Sequence, residues 1–290
     1  FNIVESCFQA PEDSAAIVFQ QDGVLSTMTY GELHALSNRV ANGLVDWGFR
    51  PGDAIAIAMP MTAESVAIYL GIIKAGCVVV SIADSFAANE IAIRLRITQA
   101  KAIFTQDYIQ RGSKQLPLYT KVIDADAPKA VVLSLDTSVS GTLRSSDLAW
   151  QKFLSSNEQF DAVVTTPEAY TNILFSSGTT GEPKAIPWTQ TTPLKCAVDG
   201  HLHQDIHPGD VVAWSSNLGW MMGPWLIYAS LINRATIALY YDAPTERGFG
   251  QFIQAARVNM LGVVPSLVSI WKTTACMQGL DWSAIKAFSS

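Results

Sequence analysis

The sequence predicts an α/β fold built from two doubly wound βαβαβ modules, each with a parallel sheet covered by helices on both faces. Three observations predict it. A Pro-Gly-Asp turn occurs twice, at Pro51 and at Pro208. After each turn a strand-like apolar run is followed by a helix-like run, a second strand-like run, a further helix and a third strand-like run. Apolar residues make up 49% of the 290 residues and charged residues 15%, which is enough for a sizeable core.

The first helix is predicted to begin at a capping box. Thr29 stands three residues before Glu32, the spacing at which two side chains satisfy the free N–H groups of a helix start. Gly48 and Pro51 are predicted to end the helix. The apolar residues between these limits follow steps of three or four: Leu33, Leu36, Val40, Leu44 and Trp47.

The two modules are predicted to span about residues 29–124 and about 160–290, as parts of one incomplete domain. The strands are predicted at 54–58, 77–82 and 102–105 in the first module and at 211–214, 235–241 and 260–264 in the second. The turns are 157 residues apart, and Tyr69 and Tyr228 in the helices after them are 159 apart. Chance could repeat a turn, but it would rarely repeat the order and spacing of three strands and two helices after it.

Two long apolar stretches, 66–83 and 224–241, are each interrupted near the middle by charged or polar residues. They are therefore predicted to be a buried helix followed by a buried strand, and no transmembrane segment is expected. Nineteen Lys and Arg against 25 Asp and Glu give a net charge of −6, which removes the electrostatic reason to expect nucleic-acid binding. The four cysteines lie 70 residues or more apart, which favours a reducing compartment.

Two segments predict little regular structure. Residues 125–158 are rich in Ser, Thr and Asp, so we expect surface loops with one short helix that includes Leu148 to Trp150. Residues 282–288 look like the approach to another strand, and the sequence ends at Ser290. Ligand loops follow the strands of doubly wound sheets. We therefore expect the chain to be a truncated part of a longer domain.

A hydroxyl-rich loop is the candidate site. Ser176 to Lys184 reads SSGTTGEPK and follows a short strand-like run at 173–175. Four hydroxyl side chains and two glycines precede the lysine, so the loop offers many O–H and N–H donors and one ammonium to an anion such as phosphate. It is not a Walker loop, because Pro183 stands directly before the lysine. A flexible Ser/Gly-rich turn is the alternative interpretation.

The same loop resembles the phosphate-loop signature of the AMP-binding, adenylate-forming superfamily, which includes acyl-CoA synthetases, luciferases and the adenylation domains of peptide synthetases. Segments 29–33 (TYGEL), 51–53 (PGD) and 74–76 (KAG) resemble earlier landmarks of that family. Segments 81–86 (SIADSF) and 219–220 (GW) resemble its acetyl-CoA-synthetase branch and the plant acyl-activating enzymes near it. The resemblance implies the N-terminal domain of such enzymes.

The resemblance implies a two-step ligase reaction. A carboxylate attacks the α-phosphorus of ATP to give an acyl-adenylate and pyrophosphate, and the thiol of coenzyme A then attacks the adenylate to give a thioester. Lys184 and Thr180 would act as catalytic residues, and Mg²⁺ would help to stabilise the leaving pyrophosphate. The residues that would hold the ATP phosphates are Ser176, Ser177, Gly178, Thr179, Thr180, Gly181 and Lys184.

Further site residues are implied by the resemblance alone. Trp220, Met221 and Met222 match positions that line the acyl pocket in acetate-using relatives, and Arg94 matches a basic residue near the coenzyme A phosphates. One departure concerns residue 188, where relatives carry a histidine and this chain has Trp188. The acid, the oligomeric state and the targeting are not predicted beyond a peroxisomal or cytoplasmic location.

The family's adenine loop, Mg²⁺-binding Glu and mobile C-terminal domain are expected beyond residue 290. Residues 1–290 alone are therefore expected to be inactive as a ligase. A catalytically inactive nucleotide-binding or scaffold protein of the same fold is the alternative. Three histidines between His201 and His207 could bind zinc from their spacing, but we expect a surface helix end there and no metal site.

Overall fold

The computed structural model describes residues 1–21, 23–111, 114–136, 139, 141–177 and 181–290. In these ranges the strands are β1 Ala15–Gln21, β2 Val24–Thr29, β3 Ala54–Ala58, β4 Val78–Ser81, β5 Ala102–Gln106, β6 Tyr108–Arg111, β7 Lys114–Pro117, β8 Lys129–Leu133, β9 Leu148–Ala149, β10 Tyr170–Ser176, β11 Lys184–Thr189, β12 Val211–Trp214, β13 Thr236–Tyr240, β14 Met260–Gly262 and β15 Ala287–Ser289. The helices are a short 3-10 helix Ile3–Phe8, α1 Tyr30–Asp46, α2 Ala63–Lys74, α3 Ala88–Thr98, α4 Tyr119–Asp124, α5 Trp150–Phe153, α6 Thr192–His203, α7 Met222–Leu231, α8 Arg247–Ala255 and α9 Pro265–Thr274.

The first sheet has the strand order β11-β10-β4-β3-β5-β8-β9. Every pair in it is parallel except β10 with β11, which forms an antiparallel edge. Strands β3 and β4 are apolar at nearly every position and almost wholly buried, because a parallel sheet is covered on both faces. One face packs a core in which α3 and α4 meet the sheet, centred on Val80, Ile103 and Val132.

The second sheet has the strand order β15-β14-β12-β13-β1-β2. Strands β12, β13 and β14 are parallel, and β15 adds to β14 in the same direction. The N-terminal hairpin of β1 and β2 completes the sheet, with β1 parallel to β13. The sequence analysis did not predict this hairpin or its pairing with β13, which lies more than 200 residues away in the chain. A second core, around Phe249, Phe252 and Leu261, packs against this sheet.

The predicted internal repeat is confirmed. In both sheets the second strand of the βαβαβ unit lies on one side of the first strand and the third strand lies on the other, giving β4-β3-β5 and β13-β12-β14. The registers also correspond, since Ile55 pairs with Val79 and Ala102 in one unit, and Val212 pairs with Ile237 and Met260 in the other.

The two Pro-Gly-Asp turns have the same geometry. Gly52 and Gly209 adopt φ of +88° and +83°, a left-handed conformation that favours glycine. Their N–H groups donate to the carbonyls of Gly76 and Arg234 at 2.8 and 3.0 Å, which ties each turn to the residues just before the second strand.

The aspartates of the two turns are held in the same way. The carboxylate of Asp53 accepts from the N–H of Arg50 at 3.0 Å, and that of Asp210 accepts from the N–H of His207 at 2.9 Å. Each also pairs with a lysine, but the two lysines are not equivalent: Lys101 directly precedes β5, the third strand of the first unit, whereas Lys286 directly precedes β15, which lies beyond the second unit. The repeat therefore includes the contact between each aspartate and the backbone N–H before its turn, as well as the strands.

Two of the described helices begin with a capping box, of which the sequence analysis predicted one. The predicted capping box is present: the Thr29 N–H donates to Glu32 Oε2 at 2.7 Å and the Glu32 N–H donates to Thr29 Oγ1 at 3.1 Å. A second capping box, between Thr62 and Ser65, starts α2. None of the helices in the described part of the chain is long and apolar enough to cross a membrane.

The expectation for residues 125–158 was partly wrong. A short helix is present as α5, but it begins at Trp150, since Leu148 and Ala149 form strand β9 beside β8. The segment also contains β8 itself, an inner strand of the first sheet with Ala130, Val131 and Val132 buried. A strand buried on both faces shows no alternation of polar and apolar residues, so its short apolar run was hidden among the polar residues around it.

The chain forms two compact units. The first comprises Phe1–Val4, His34–Thr192 and Asn217–Met221, and the second comprises Glu5–Leu33, Pro193–Ser216 and Met222–Ser290. The module limits of about 29–124 and about 160–290 remain a prediction.

A buried ion pair fixes the polar segment that follows β8. The carboxylate of Asp147 is fully buried and accepts from Arg144 Nε, from the Tyr119 hydroxyl and from the Ala130 N–H at 2.7, 2.7 and 2.9 Å. Burial alone would raise the pKa of Asp147, but these hydrogen bonds hold that pKa below its ordinary value. Because the pKa is lowered in the folded state, the carboxylate stabilises the fold above its unfolded pKa, and this contribution is lost as the pH falls through the folded pKa.

We expect Asp147→Asn to lower the free energy of unfolding of the full-length protein by about 3 kcal/mol at neutral pH, because it leaves Arg144 without its carboxylate. The loss should begin to shrink below about pH 4, where the carboxylate takes up a proton in the unfolded wild-type chain, and should be smallest below the lowered pKa of the folded state. Urea unfolding across a pH series measures both effects. Asp199→Asn, at an exposed pair with Lys195, is the control and should cost less than about 1 kcal/mol. A constant difference between wild type and Asp147→Asn from pH 7 to pH 3 would contradict this account.

Candidate active site

The hydroxyl-rich loop closes the β10–β11 hairpin. Ser176 and Lys184 are paired in the antiparallel register, so the loop between them spans seven residues, 177–183. Ser176, Ser177 and Lys184 are exposed, and Gly181 adopts a left-handed φ of +96°. Among the described residues, Lys184 has no ion-pair partner. The predictions for Gly178, Thr179 and Thr180 fall outside the described residues.

A buried polar contact fixes the strand that leads into the loop. Strand β10 pairs in parallel with β4, Asn172 opposite Val79 and Ile173 opposite Val80. The Ser81 hydroxyl donates to Asn172 Oδ1 at 2.7 Å inside the sheet. Parallel strands end at the same edge, so the hydroxyl-rich loop lies at the carboxyl edge of the sheet, beside the segment that follows β4.

Two arginines of α3 contact the two ends of the loop. Arg94 is 6% exposed, and its guanidinium carbon lies 4.1 Å from the ring centroid of Phe86 and 5.2 Å from that of Phe175. Phe175 directly precedes the first serine of the loop. Arg96 is exposed and forms an ion pair with Glu182, near the end of the loop. Helix α3 therefore touches the chain on both sides of the hydroxyl-rich segment.

Arg94 is more deeply buried than an arginine that binds phosphate at an open surface would be. Its Nη1 pairs with Glu90 at 2.6 Å, and its buried Nε has no hydrogen-bond partner in the part of the chain that the structure describes. This placement favours packing against the aromatic rings of Phe86 and Phe175. Contact with the phosphates of coenzyme A, which the resemblance implies, remains a prediction.

A second segment of the same compact unit, Asn217–Met221, packs on the residues after β4. Asn217 Nδ2 donates to Asp84 Oδ1 at 2.8 Å, and its own Oδ1 accepts from the Gly219 N–H at 2.9 Å. Asp84 is buried, so the bridge joins residues 133 positions apart inside the unit. It fixes the backbone directly before Trp220.

Gly219 allows this close approach. A Cβ built on it would lie 2.1 Å from the backbone nitrogen of Ala83, so no side chain fits there. Beside it the ring of Trp220 packs edge-on against Phe86, with centroids 5.9 Å apart. Because Phe86 also packs on Arg94, contacts run without interruption from Trp220 to the start of the hydroxyl-rich loop.

The structure thus brings some of the predicted residues together. Trp220, Arg94 and the described part of the loop belong to one unit and are linked through Phe86. Met221 belongs to the same unit and is exposed, whereas Met222 begins α7 in the second unit. The assignment of these residues to ligands remains a prediction.

Trp188, which stands where the family resemblance implies a histidine, is a core residue. It is 8% exposed in β11 and pairs with Asn172 of β10. Burial also affects the cysteines: it raises the pKa of both Cys77 and Cys196 to about 12, so both thiols are protonated at neutral pH. Neither cysteine is therefore suited to act as a nucleophile.

The histidines lie at the end of α6 and in the turn after it. His207 Nε2 contacts Asp205 at 2.7 Å, His203 lies 3.7 Å from Asp199, and the rings of His201 and His207 meet edge-on. Across the described residues, no group of three or more His, Cys, Asp or Glu side chains is arranged to hold a metal ion.

Sequence reasoning missed two contacts that shape the site. The bridge between Asp84 and Asn217 and the ion pair between Arg96 and Glu182 both join residues more than 80 positions apart. No local pattern marks either pair. Phe86 was noticed only as part of a family-like segment, although an aromatic residue in a loop after a buried strand is itself a signal.

Comparison with known proteins agrees with this architecture. The family model described as AMP-binding enzyme matches residues 4–289. A hexanoyl-CoA synthase from Cannabis sativa is 54% identical over 94% of this chain and 39% of its own length. A probable peroxisomal acyl-activating enzyme 18 from Arabidopsis thaliana is 48% identical over the whole chain and 42% of its own length. An acetoacetyl-CoA synthetase structure from Streptomyces lividans superposes with a TM-score of 0.91 at 23% identity, over 99% of this chain and 46% of that one. The chain thus spans about two fifths of the curated relatives it matches.

We expect Gly219→Ala to lower the free energy of unfolding by about 3 kcal/mol, because the new methyl group meets backbone atoms of Ala83 that have no room to move. Urea unfolding of the full-length protein is the measurement. Gly200→Ala in α6 is the control, since its methyl group would meet side-chain atoms no closer than 3.0 Å. Equal losses for the two variants would show that the contact between Gly219 and Ala83 is not specially tight.

Proposed function

Since the chain belongs to the AMP-binding enzyme family, we propose that the full-length protein activates a carboxylic acid with ATP and transfers the acyl group to coenzyme A. The observation that carries the proposal is the exposed, hydroxyl-rich loop with Lys184 at the carboxyl edge of a parallel sheet. Ligands of open α/β sheets bind at that edge. The names of the relatives, hexanoyl-CoA synthase and acyl-activating enzyme, support the same reaction.

The loop holds the β- and γ-phosphates of ATP in this proposal. A carboxylate oxygen attacks the α-phosphorus, the bond from that phosphorus to the pyrophosphate oxygen breaks, and negative charge develops on the leaving group. Lys184 and the hydroxyls of Ser176 and Ser177 stabilise this charge, with Thr180 in the same role. An ammonium without an ion-pair partner among the described residues, on a strand end fixed by a sheet, is suited to this task.

The acid lies near Trp220, Met221 and Met222. Trp220 is held by the Asn217 bridge and by Phe86, so it forms a fixed wall, whereas methionine side chains adapt their shape to the acid. The name of the Cannabis sativa relative favours an aliphatic acid. Transfer then forms the thioester bond to the sulfur of coenzyme A and releases AMP from the acyl carbon.

Mg²⁺ fits this site as a partner of the nucleotide. In this proposal Mg²⁺ would bind together with the nucleotide, as it commonly does in nucleotide sites, and would supply positive charge beside the phosphates. Its role is to neutralise charge on the pyrophosphate. Arg94 is the candidate contact for the phosphates of coenzyme A, although its burial favours a supporting role.

Two further points belong to the proposal. The named relatives are synthetases or acyl-activating enzymes, and no finding supports the alternative of an inactive scaffold. Two Arabidopsis thaliana relatives carry the word peroxisomal in their names, which supports a peroxisomal location for the full-length protein.

Lys184→Ala should reduce acid-dependent exchange between ATP and pyrophosphate about ten- to a hundredfold in the full-length protein. A hydrogen bond from a charged group contributes about 1.5–3 kcal/mol, and the variant removes it from the transition state. Lys195→Ala, at an exposed lysine on α6, is the matched control and should leave exchange unchanged. Unchanged exchange in Lys184→Ala would remove the phosphate role from the loop.

Met221→Ala and Met222→Ala should change the order of preference among acids from acetate to octanoate while the KM for ATP stays within about twofold. Loss of one or two methylene contacts in a pocket changes discrimination by about 1–3 kcal/mol. The ratio of kcat/KM values across the acid panel is the measurement. Met28→Ala, at a half-buried methionine of β2, is the control. A fixed order of acids together with a raised KM for ATP would place these methionines in the core.

A further inference from the structure

Both ends of the phosphate loop contact one helix. On the side leading into the loop, Phe175 lies under the guanidinium of Arg94, which is buried between that ring and Phe86. On the side leading out of the loop, Glu182 pairs with Arg96, which follows Arg94 by two residues on the same helix. Because α3 packs against the sheet, it provides a fixed reference for the described residues at the two ends of the loop.

The charge of Glu182 makes the second contact important. A free carboxylate two residues before Lys184 would repel the phosphates that the loop is proposed to bind. Arg96 neutralises that carboxylate and holds it toward the helix. The side chains of Arg96 and Glu182 are 64% and 62% exposed, and exposed pairs add little to folding stability. We therefore expect this ion pair to affect the charge and position of Glu182 in the loop more than the stability of the fold.

We propose that Arg94 and Arg96 are positioning residues for ATP: α3 holds the two ends of the phosphate loop through Phe175 and Glu182, and so sets where the loop presents its donors. The inference rests on the proposed ATP-binding role of the loop and adds the residues that control it. It gives Glu182 a defined function, since the loop carries a carboxylate that must be turned away from its anionic ligand.

The test is a charge swap in the full-length protein, followed by exchange between ATP and pyrophosphate at saturating acid. Arg96→Glu places two carboxylates together, and we expect the KM for ATP to rise about five- to tenfold with kcat within twofold. The double variant Arg96→Glu with Glu182→Arg restores the pair and should bring the KM for ATP back to within twofold of wild type. The KM for the acid and the thermal midpoint should not change in either variant.

The Lys195–Asp199 pair on α6 provides the matched control, since it is also an exposed pair. Lys195→Glu should leave the KM for ATP unchanged. If Arg96 contacted the phosphates directly, the swap would fail to restore the KM, and a failed swap overturns the inference.

Arg94 is tested by a pair of variants in the same assay. Arg94→Ala should raise the KM for ATP about threefold or more, and Arg94→Lys, which keeps a cation over the rings, should recover most of that loss. The exchange reaction contains no coenzyme A, so an effect there cannot come from contact with that ligand. If Arg94→Ala leaves the KM for ATP in exchange unchanged and raises only the KM for coenzyme A in the complete thioester-forming reaction, the positioning role of Arg94 is wrong.

Calorimetric titration with ATP alone separates this inference from the proposed function. A wild-type protein that neither binds ATP nor catalyses exchange would overturn both. A wild-type protein that binds ATP, with a dissociation constant unchanged in Arg96→Glu, would overturn the positioning role and leave the proposed function intact.

Discussion

Parallel pairing of β10 with β4 determines where the chemistry of this unit can lie. The two strands are joined by few backbone pairs, and the buried contact between Ser81 and Asn172 adds a polar link that only one register satisfies. A shift by one residue would turn every side chain of β10 to the opposite face. The position of the hydroxyl-rich loop, its distance from α3 and its proximity to Phe86 all depend on this single pairing.

Much of the first unit is arranged around that position. The segment after β4 supplies Asp84 and Phe86, and helix α3 supplies the arginines that meet the loop. Asn217 then attaches a distant segment to the same place, and Gly219 permits backbone contact that a side chain would prevent. These contacts comprise a polar side-chain bridge, an aromatic ring, two arginines and a glycine that has no side chain. Together they hold the segments around the loop in place at the edge of the sheet.

The sequence predicted those parts of the fold that depend on local pattern. The turns at Gly52 and Gly209, the helix start at Thr29 and the strands after the turns were all evident, because each rests on residues close together in the chain. The strand β8 and the pairing of β1 with β13 were not predicted. One is a short run buried on both faces, and the other depends on tertiary contact across most of the chain.

In the candidate site too, the features that depend on neighbouring residues were predicted and those that depend on distant contacts were not. The hydroxyl-rich loop could be found from composition and from resemblance, since its residues are consecutive. The contacts that hold it, from Arg96 to Glu182 and from Asn217 to Asp84, join residues that no spacing rule connects. Arg94 was identified by resemblance as a ligand contact, and its burial between two rings became visible only in three dimensions.

The two Pro-Gly-Asp turns separate the features that the two βαβαβ units share from those that they do not. Both units have the glycine in its left-handed conformation and the aspartate bonded to the backbone N–H before the turn, so these residues belong to the common architecture. The helices after the second strands differ: α3 carries two arginines directed to a loop, while the arginine of α8 binds the carbonyls of Cys276 and Gln278. The second unit is thus an internal reference within one molecule: the same strand order and turn occur there with a helix whose arginine binds backbone carbonyls instead of a loop carboxylate.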